Sequence, residues 1–449
     1  MTRHIAAQPP PLQHRVPSLG LNPRWVLIGA TLLMWSLIIV LFFQIGYART
    51  WQLWGVPTFT PPFLDFRLLP GTAETLARGL DPTVQNPGDP LGRLFNYPKT
   101  WYVFFYTGLR QDDTVGIVVA GLVLFFICVF AFPGKMRIGD VPLLLGLAFS
   151  PAAMLLYERG NVDIFVFILC TGILISSAWR RTSALMLVLT GAFFKIFPLL
   201  TVAVFLKESP KRFFALTGSA ISAFGVYLIL FHGTLSAAWL LTQREADMSY
   251  GANVLLTHYK PALTTSLFNL ASSSKIEKLL DSAPYLAALV VLACCLLYGV
   301  RNRETAVVDD QRNLDAFRIG AAIYVGTFLL GNNFDYRLVF VLFIVPQTAT
   351  WMRVANGRLR TLAIGTLMLC YLSCWSLMFG KVANKLHIPH VSSESLFLFD
   401  EAVNWALFAT LACVLFISLP EWLKAPFYIL RASPSRTMLA SKSAPGTVR

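Results

Sequence analysis

Residues 25–46 read WVLIGATLLMWSLIIVLFFQIG, a stretch that carries no charged side chain. A helix that crosses the hydrocarbon core of a membrane needs about 20 predominantly apolar residues, and this stretch predicts such a helix. A basic tail, residues 1–24, precedes it without a small-residue cleavage site. That combination is typical of a retained first span, with the tail in the cytoplasm, rather than of a removed signal peptide.

The same apolar character continues through the chain. Its 449 residues are 56% hydrophobic and 13% charged, whereas soluble domains carry about 25% charged residues. Repeated long apolar runs predict an all-α polytopic membrane protein with about ten transmembrane helices. Most basic residues behind the net charge of +14 lie between these runs, where they set topology. We therefore expect no nucleic-acid partner.

Motifs for a cofactor are missing from the sequence. It has no glycine-rich phosphate loop, no H-E-x-x-H motif, no G-x-S-x-G elbow and no D-x-D pair of metal ligands. All seven cysteines lie in apolar segments, which predicts neither disulfides nor a structural zinc site. We expect neither a metal nor another cofactor.

The apolar segment 183–206 differs from the other runs. Basic residues flank it on both sides, ending at Arg181 before it and starting at Lys207 after it, and Lys195 and Pro198 lie in its middle. The positive-inside rule places both flanks in the cytoplasm. Two half-helices that enter the membrane and return satisfy this, so we predict a re-entrant helical hairpin.

This topology divides the chain into a transmembrane domain, 25–420, and a basic cytoplasmic tail, 421–449. Two long segments fall on the extracytoplasmic side, a first loop over 49–113 and a second loop over 232–282. Long polar loops usually carry function. No period of about 20 to 50 residues repeats along the chain, which weakens a transporter interpretation.

The first loop contains PPFLDFRLLPGTAETLARGLDPT, with Asp65 near its start. Residues 64–78 predict an amphipathic helix at the membrane interface, interrupted at Pro70. An acid beside apolar residues suits general-base chemistry. A solvated loop carboxylate, or a partner for Arg67, is the structural alternative.

Two short polar turns lie between apolar runs. The first contains Glu158, Arg159, Asn161 and Asp163. Charges this close to hydrocarbon are costly unless they are paired or face a water-filled cavity. A substrate cavity and a local charge pair with an Asn helix cap remain equal alternatives.

The second turn contains Asn333, Asp335, Tyr336 and Arg337. The guanidinium of Arg337 could clamp a phosphate with two hydrogen bonds. Asp335 could instead neutralise it locally.

Four further residues have a functional and a structural interpretation. Lys195, a cation within an apolar segment, is a functional candidate, but it could also snorkel to the interface. In the second loop, His258 and Lys260 could bind substrate or decorate a surface. Tyr97 lies where the chain re-enters the interface, in a run typical of an aromatic belt.

Taken together, these motifs resemble a known family. The pattern is an Asp early in the first loop, a helix, a G-L-D-P sequence and an N-Y-P sequence, with the segments GAFFKIFPLL and FDYRLVF further along. It resembles the polyprenyl-phosphate-dependent glycosyltransferases of the GT-C superfold, and within them glycosyltransferase family 87, which includes mycobacterial α-1,2-mannosyltransferases. The resemblance covers about residues 25–420. The sequence departs from the family pattern after Asp65, where Phe66–Pro70 replaces a stretch rich in Tyr.

The resemblance implies a GT-C-like, multi-pass enzyme of the plasma (inner) membrane with an extracytoplasmic active site and cytoplasmic termini. It would transfer a hexose, with mannose expected, from a polyprenyl-phosphate sugar to a lipid or glycan acceptor, with inversion. Asp65 would be the general base. The candidates for binding the donor phosphate are Arg337, Lys195, Lys260 and Arg159. The candidates for lining the substrate cavity are Arg67, Glu158, Asn161, Asp163, Asn333, Asp335, Tyr336, His258 and Tyr97.

Two other functions remain open. A lipid-linked sugar transporter would need broken helices in both halves of the chain. A lipid-linked glycan polymerase or ligase would rely on a long late outer loop, and 232–282 has that length. Besides substrates and membrane lipids we expect no partner, and nothing in the sequence demands more than a monomer.

Overall fold

The chain is built almost entirely from helices. The computed structural model describes residues 20–242, 244–268, 274–301, 308–386 and 392–429. The α-helices of these residues are α1 Pro23–Ile45, α2 Tyr47–Leu53, α3 Leu64–Ala77, α4 Tyr102–Phe105, α5 Asp113–Ala131, α6 Asp140–Ala148, α7 Pro151–Arg159, α8 Asp163–Trp179, α9 Arg181–Phe194, α10 Pro210–Leu241, α11 Val254–Phe268, α12 Ser274–Arg301, α13 Gln311–Leu330, α14 Val345–Val354, α15 Gly357–Cys374, α16 Ser376–Lys385, α17 Ser393–Ile417 and α18 Glu421–Ile429. The 3-10 helices are Lys99–Trp101, Phe197–Lys207 and Asp335–Ile344, and the strands are β1 Ser249–Tyr250 and β2 Asn333–Phe334.

Several helices are long and apolar enough to cross a membrane. In the described ranges six meet that test, and eight spans result if each of two bent helix pairs counts as one. α1 shows the character of a lipid-facing helix, since apolar side chains such as Leu33 and Phe43 are exposed. The structure confirms an all-α membrane protein. The count of about ten spans, the GT-C-like arrangement and the re-entrant hairpin stay predictions.

Local sequence rules explain where one long apolar run breaks. α6 and α7 meet at an angle of 47°. Pro151 opens α7, and a residue before proline is driven out of the helical region, so Ser150 is extended and its hydroxyl accepts a hydrogen bond from Ala153 N. α7 then ends at Gly160, which has a φ of 57° that few other residues adopt. This break turns the chain so that α7 ends beside α3.

The centre of the protein is the 3-10 helix Asp335–Ile344, packed against α7 and α13. Nine of its ten residues are buried, and Arg337 is the exception. Aromatic rings fix its position: the ring centroids of Phe343 and Phe167 are 4.5 Å apart, and those of Phe340 and Phe197 are 5.4 Å apart. A rigid apolar core therefore holds the segment that carries Arg337.

Residues 183–206 fold as two antiparallel arms. The first is α9, and the second is the 3-10 helix Phe197–Lys207. Arg181 Nε lies 2.6 Å from Glu208 Oε1, so the two ends of the pair meet at one place. The arms have matching lengths, about 21 Å at 1.5 Å per residue and about 22 Å at 2.0 Å per residue. Lys195 lies at the tip between them, in an extended conformation.

Two predicted segments need correction. The segment 232–282 is not mainly a loop, because α10 extends to Leu241 and most of the rest belongs to α11 and α12. Their polar and charged residues led to the prediction of a loop, but such residues also occupy the ends of long helices. α3 continues through Pro70. The tail 421–449 begins as helix α18, and residues 1–19 and 430–449 of the two tails lie outside the described residues.

The loop after α3 crosses this helix at two glycines. Gly88 N donates a hydrogen bond to Thr75 Oγ1 on α3 at 3.1 Å. A Cβ added to Gly71 would lie 2.7 Å from the Gly88 carbonyl oxygen, closer than such atoms approach. The crossing therefore requires glycine. It brings the residues that follow Gly88 close to the start of α3.

We predict that Gly71→Ala destabilises the protein by about 1–3 kcal/mol, the range for forcing an atom into a packed site. The midpoint of thermal unfolding of the purified protein would measure it. Gly116→Ala is the matched control, because Gly116 is also helical and has no neighbour within 4 Å of an added Cβ. An equal effect of the two substitutions would show that the glycine contact is not tight.

Candidate functional site

Asp65 lies in the first turn of α3, where a carboxylate is favoured by the helix dipole. Its Oδ2 accepts a hydrogen bond from Asn161 Nδ2 at 2.8 Å. Its Oδ1 lies 3.5 Å from an Nη of Arg93, and 23% of the Asp65 side chain is exposed. The carboxylate is thus held on two sides but remains accessible.

Contacts with residues other than Asp65 hold Arg93 in place. Its Nε and one Nη donate to the two carboxylate oxygens of Asp89 at 3.1 and 2.8 Å, and the same Nη donates to the Leu64 carbonyl at 2.6 Å. Burial lowers the pKa of the guanidinium, but the Asp89 and Asp65 carboxylates outweigh burial and raise this pKa above its ordinary value. Arg93 is therefore a permanent cation that orients Asp65.

The turn after α7 connects Asp65 to a second carboxylate. Asn161 Oδ1 accepts a hydrogen bond from Asp163 N at 3.1 Å, the local bond that Asn makes in turns. Asp163, the first residue of α8, is fully buried and has two cationic partners. Lys195 Nζ lies 2.6 Å from its Oδ1, and Arg337 Nε lies 3.2 Å from its Oδ2. One side chain, Asn161, thus bridges the accessible acid and this ion triad.

Arg337 is placed by the short β1–β2 ribbon. Tyr250 pairs with Asn333 across the ribbon, and Asp335 N donates to Met248 O at 2.8 Å. Asn333 Oδ1 accepts a hydrogen bond from Arg337, while Asn333 Nδ2 donates to Thr327 O at 2.7 Å. The guanidinium is therefore held from the ribbon as well as from Asp163.

Aromatic rings surround the two cations. Lys195 Nζ is 5.6 Å from the ring centroid of Phe197 and 5.8 Å from that of Tyr97, and Arg337 Cζ is 4.9 Å from the Phe197 ring. Such cation–π contacts contribute roughly 0.5–2 kcal/mol each. Burial, assisted by the carboxylates of Asp65 and Asp163, raises the pKa of the Tyr97 phenol. Tyr97 is therefore a neutral hydroxyl within range of the charges of both acids.

We call Asp65, Arg93, Asn161, Asp163, Lys195, Asn333 and Arg337 the Asp163 cluster. The side chains of Lys195 and Arg337 are 13% and 15% exposed, whereas that of Asp163 is fully enclosed. Two cations share this single carboxylate, so its immediate surroundings carry an excess positive charge. At this end of the cluster the carboxylate of Asp163 is enclosed and the two cations are partly exposed, an arrangement that suits an anionic ligand.

The structure brings together most of the predicted site residues. Besides the members of the cluster, Tyr97 and Tyr336 lie within range of the charges of Asp65, Asp163 and Arg337. Arg93 was missed, because an Asp–Arg pair four residues apart in a proline- and glycine-rich loop looks like local loop structure. The sequence signal was the D-P-L-G-R pattern that ends at Arg93.

Three predicted residues lie at the edge of the cluster. Arg67 donates to Pro62 O at 2.8 Å and to Gln111 Oε1 at 3.2 Å, so Asp65 pairs with Arg93 instead. Glu158 is buried and accepts a hydrogen bond from Phe59 N at 3.0 Å. The guanidinium of Arg159 lies over the Phe59 ring, 4.0 Å from its centroid, and 3.6 Å from Glu158. The contacts of Glu158 and Arg159 are thus with the segment before α3.

Three others make contacts away from the cluster. Asp335 is buried and is influenced by the charges of Asp400 and Glu401 on α17, while Arg337 is paired with Asp163. His258 stacks on the Phe397 ring and lies 3.1 Å from Glu394. Lys260 lies 2.8 Å from Asp281.

No group of His, Cys, Asp or Glu side chains in the described ranges is arranged to hold a metal ion. Comparison of the chain with protein-family models, with curated proteins and with solved structures found no match.

We predict that Asp163→Asn lowers the free energy of unfolding by about 3–5 kcal/mol, because Lys195 and Arg337, which are only 13% and 15% exposed, then lose their counter-charge. Thermal unfolding in detergent would measure the loss. The double variant Asp163→Asn/Lys195→Met removes one cation together with the acid and should recover part of it. A double variant that is as unstable as the sum of its two single variants would contradict an interaction between these residues.

Proposed function

We propose that the protein is an inverting glycosyltransferase that transfers a hexose from a polyprenyl-phosphate sugar to a lipid or glycan acceptor. One observation carries the proposal: an accessible carboxylate, Asp65, is connected through Asn161 to a pair of accessible cations, Lys195 and Arg337. Transfer from a sugar phosphate needs these two functions side by side, a base for the acceptor and positive charge for the leaving group.

Asp65 supplies the base in this proposal. One carboxylate oxygen takes the proton of the acceptor hydroxyl as that oxygen attacks the anomeric carbon. The bond from this carbon to the phosphate oxygen breaks on the opposite face of the sugar, which inverts the configuration. Asn161 and Arg93 hold the carboxylate in one orientation, so that little reorganisation is needed when the proton is transferred.

Lys195 and Arg337 supply the positive charge for the departing polyprenyl phosphate. The bond electrons leave with the phosphate, whose growing negative charge is stabilised by fixed cations. A guanidinium can bind two phosphate oxygens at once, whereas an ammonium acts as a point charge. Asp163 keeps both cations in place and is itself shielded from the ligand.

The lengths of the helices favour a lipid-borne donor. α8 and α9 contain 17 and 14 residues, whereas α10 contains 32. At 1.5 Å per residue the first two extend about 26 and 21 Å, less than the roughly 30 Å of a bilayer core. Lys195, at the end of α9, can therefore meet a phosphate whose tail remains in the membrane. An extracytoplasmic position of the cluster is part of this proposal.

A lipid-linked sugar transporter is the second candidate. Its support is the number of interrupted helices in the described residues: α6 and α7 bend by 47°, α15 and α16 bend by 58°, and α9 breaks at Lys195. Interrupted helices whose ends form a binding site are typical of transporters. The polymerase or ligase alternative relied on a long late loop, and most of 232–282 is helical.

We expect purified wild-type protein to form product from short-chain polyprenyl-phosphate mannose with one of a panel of lipid and glycan acceptors. Asp65→Asn should lower kcat about 10²- to 10⁴-fold, the usual contribution of a general base. Asp81→Asn is the matched control, because Asp81 is exposed in the same loop and bonds only within its own turn to Thr83.

Equal activity of wild type and Asp65→Asn would remove Asp65 from the mechanism. If both proteins instead move the donor across a liposome membrane without forming product, the transporter function is correct and the transferase function is not. Folding of each variant is checked by its thermal unfolding midpoint.

Arg93 can be tested as a residue that positions Asp65. We expect Arg93→Lys to lower kcat about 10- to 100-fold, because Lys keeps the charge but lacks the planar guanidinium whose two nitrogens bind the two Asp89 oxygens, and small misplacements are costly. The KM for the donor should not change. Arg78→Lys, at an exposed arginine after α3, serves as the control. A raised KM with an unchanged kcat would assign Arg93 to donor binding instead.

A further inference from the structure

A second charged site lies at the opposite ends of the helices that carry the Asp163 cluster. A cavity of about 660 Å³ opens among the end of α8, the beginnings of α9, α10 and α13, and the end of the 3-10 helix Phe197–Lys207. The charged and serine side chains that line it are Ser177, Arg181, Lys207, Glu208, Ser209, Arg212, Arg312 and Asp315. The proposed transfer reaction uses none of them.

The lining has more positive than negative charge. Four of these residues are cationic and two are acidic. The carboxylate side chains are buried, 6% exposed at Glu208 and 3% at Asp315, whereas the guanidinium side chains of Arg181 and Arg212 are 50% and 63% exposed. An incoming ligand therefore meets guanidinium groups before it meets the acids.

The acids are already satisfied by neighbours. Asp315 accepts hydrogen bonds from Lys207 at 2.7 Å and from Gln311 at 2.7 Å. Glu208 accepts one from Arg181 at 2.6 Å and lies 4.0 Å from Arg212. These contacts hold the basic side chains in place. Most of the N–H groups of these side chains are not bonded to the two acids.

Backbone groups add to the positive potential. α10 begins at the cavity, and the side chain of its N-cap residue, Ser209, makes no capping hydrogen bond. The first turn of α10 contains no acid, and the nearby carboxylate of Glu208 is already bonded to Arg181, so the positive end of the helix dipole adds to the basic lining. Arg312 also lines the cavity, and its guanidinium donates a hydrogen bond to the Ala131 carbonyl.

We propose that this cavity binds a phosphate group, as carried by the headgroup of an anionic phospholipid or as free phosphate. Paired guanidinium groups and an uncapped helix N-terminus both recognise phosphate oxygens. A basic pocket between helix ends at a membrane surface is a typical position for an anionic headgroup. Its occupation would brace α8, α9, α10 and α13 at the end away from the Asp163 cluster.

The test uses delipidated full-length protein in detergent, with the thermal unfolding midpoint measured against added phosphatidylglycerol, phosphatidylcholine or inorganic phosphate. Binding to the folded state raises the midpoint. We expect phosphatidylglycerol to raise it saturably and phosphatidylcholine to have little effect. A rise with inorganic phosphate as well would identify free phosphate as a ligand, and a rise with phosphatidylglycerol alone would identify the lipid headgroup.

Arg212→Gln is the decisive variant, since Arg212 is largely exposed and Glu208 keeps Arg181 as a partner. We expect its apparent Kd for phosphatidylglycerol, or for phosphate, to be about tenfold higher, the loss of one charge-assisted hydrogen bond. Lys211→Gln makes the same charge change at the adjacent exposed residue, outside the cavity lining, and should change the Kd less than about twofold. Equal effects of the two variants, equal rises with the two lipids, or no rise with phosphatidylglycerol and inorganic phosphate alike, would overturn the proposal.

Discussion

The buried carboxylate of Asp163 is the interaction on which the candidate site depends. It joins three segments that are far apart in sequence: the start of α8, the tip between α9 and the following 3-10 helix, and the 3-10 helix that begins at Asp335. Both cations that it holds would repel one another if it were absent. A buried ion pair is weak as a source of net stability, but removing one partner is costly. Asp163 therefore fixes the relative position of these segments more than it adds to their stability.

Much of the architecture could be predicted from the sequence because the solvent imposes it. Membrane-length apolar runs must form helices, since hydrocarbon offers no hydrogen-bond partners to the backbone. Bends were harder to predict, because a proline such as Pro151 divides an apolar run without changing its composition. The helical character of 232–282 was missed for a related reason, since polar residues at helix ends resemble those of loops.

The candidate site was predictable residue by residue but not as an arrangement. Charged residues within apolar sequence are rare, because burying a charge near hydrocarbon costs free energy. On this ground Asp163, Lys195 and Arg337 could each be selected. Their pairing depends on tertiary packing, so Asp335, two residues from Arg337 in sequence, looked like an equally good partner. Arg93 could not be selected in this way. Its loop is polar throughout, so a single arginine there is not unusual.

The 3-10 winding of Asp335–Ile344 has a consequence for Arg337. With three residues per turn, residues three apart lie in one row, so Arg337 stands in line with Phe340 and Phe343. Those two rings lie near the Phe167 ring, at centroid distances of 6.0 and 4.5 Å. If the same residues wound as an α-helix, Arg337 would rotate by about 120° relative to Phe343 and approach it by about 3 Å. The guanidinium would then leave Asp163 although no residue had changed, so the 3-10 winding of these two turns decides whether the cluster exists.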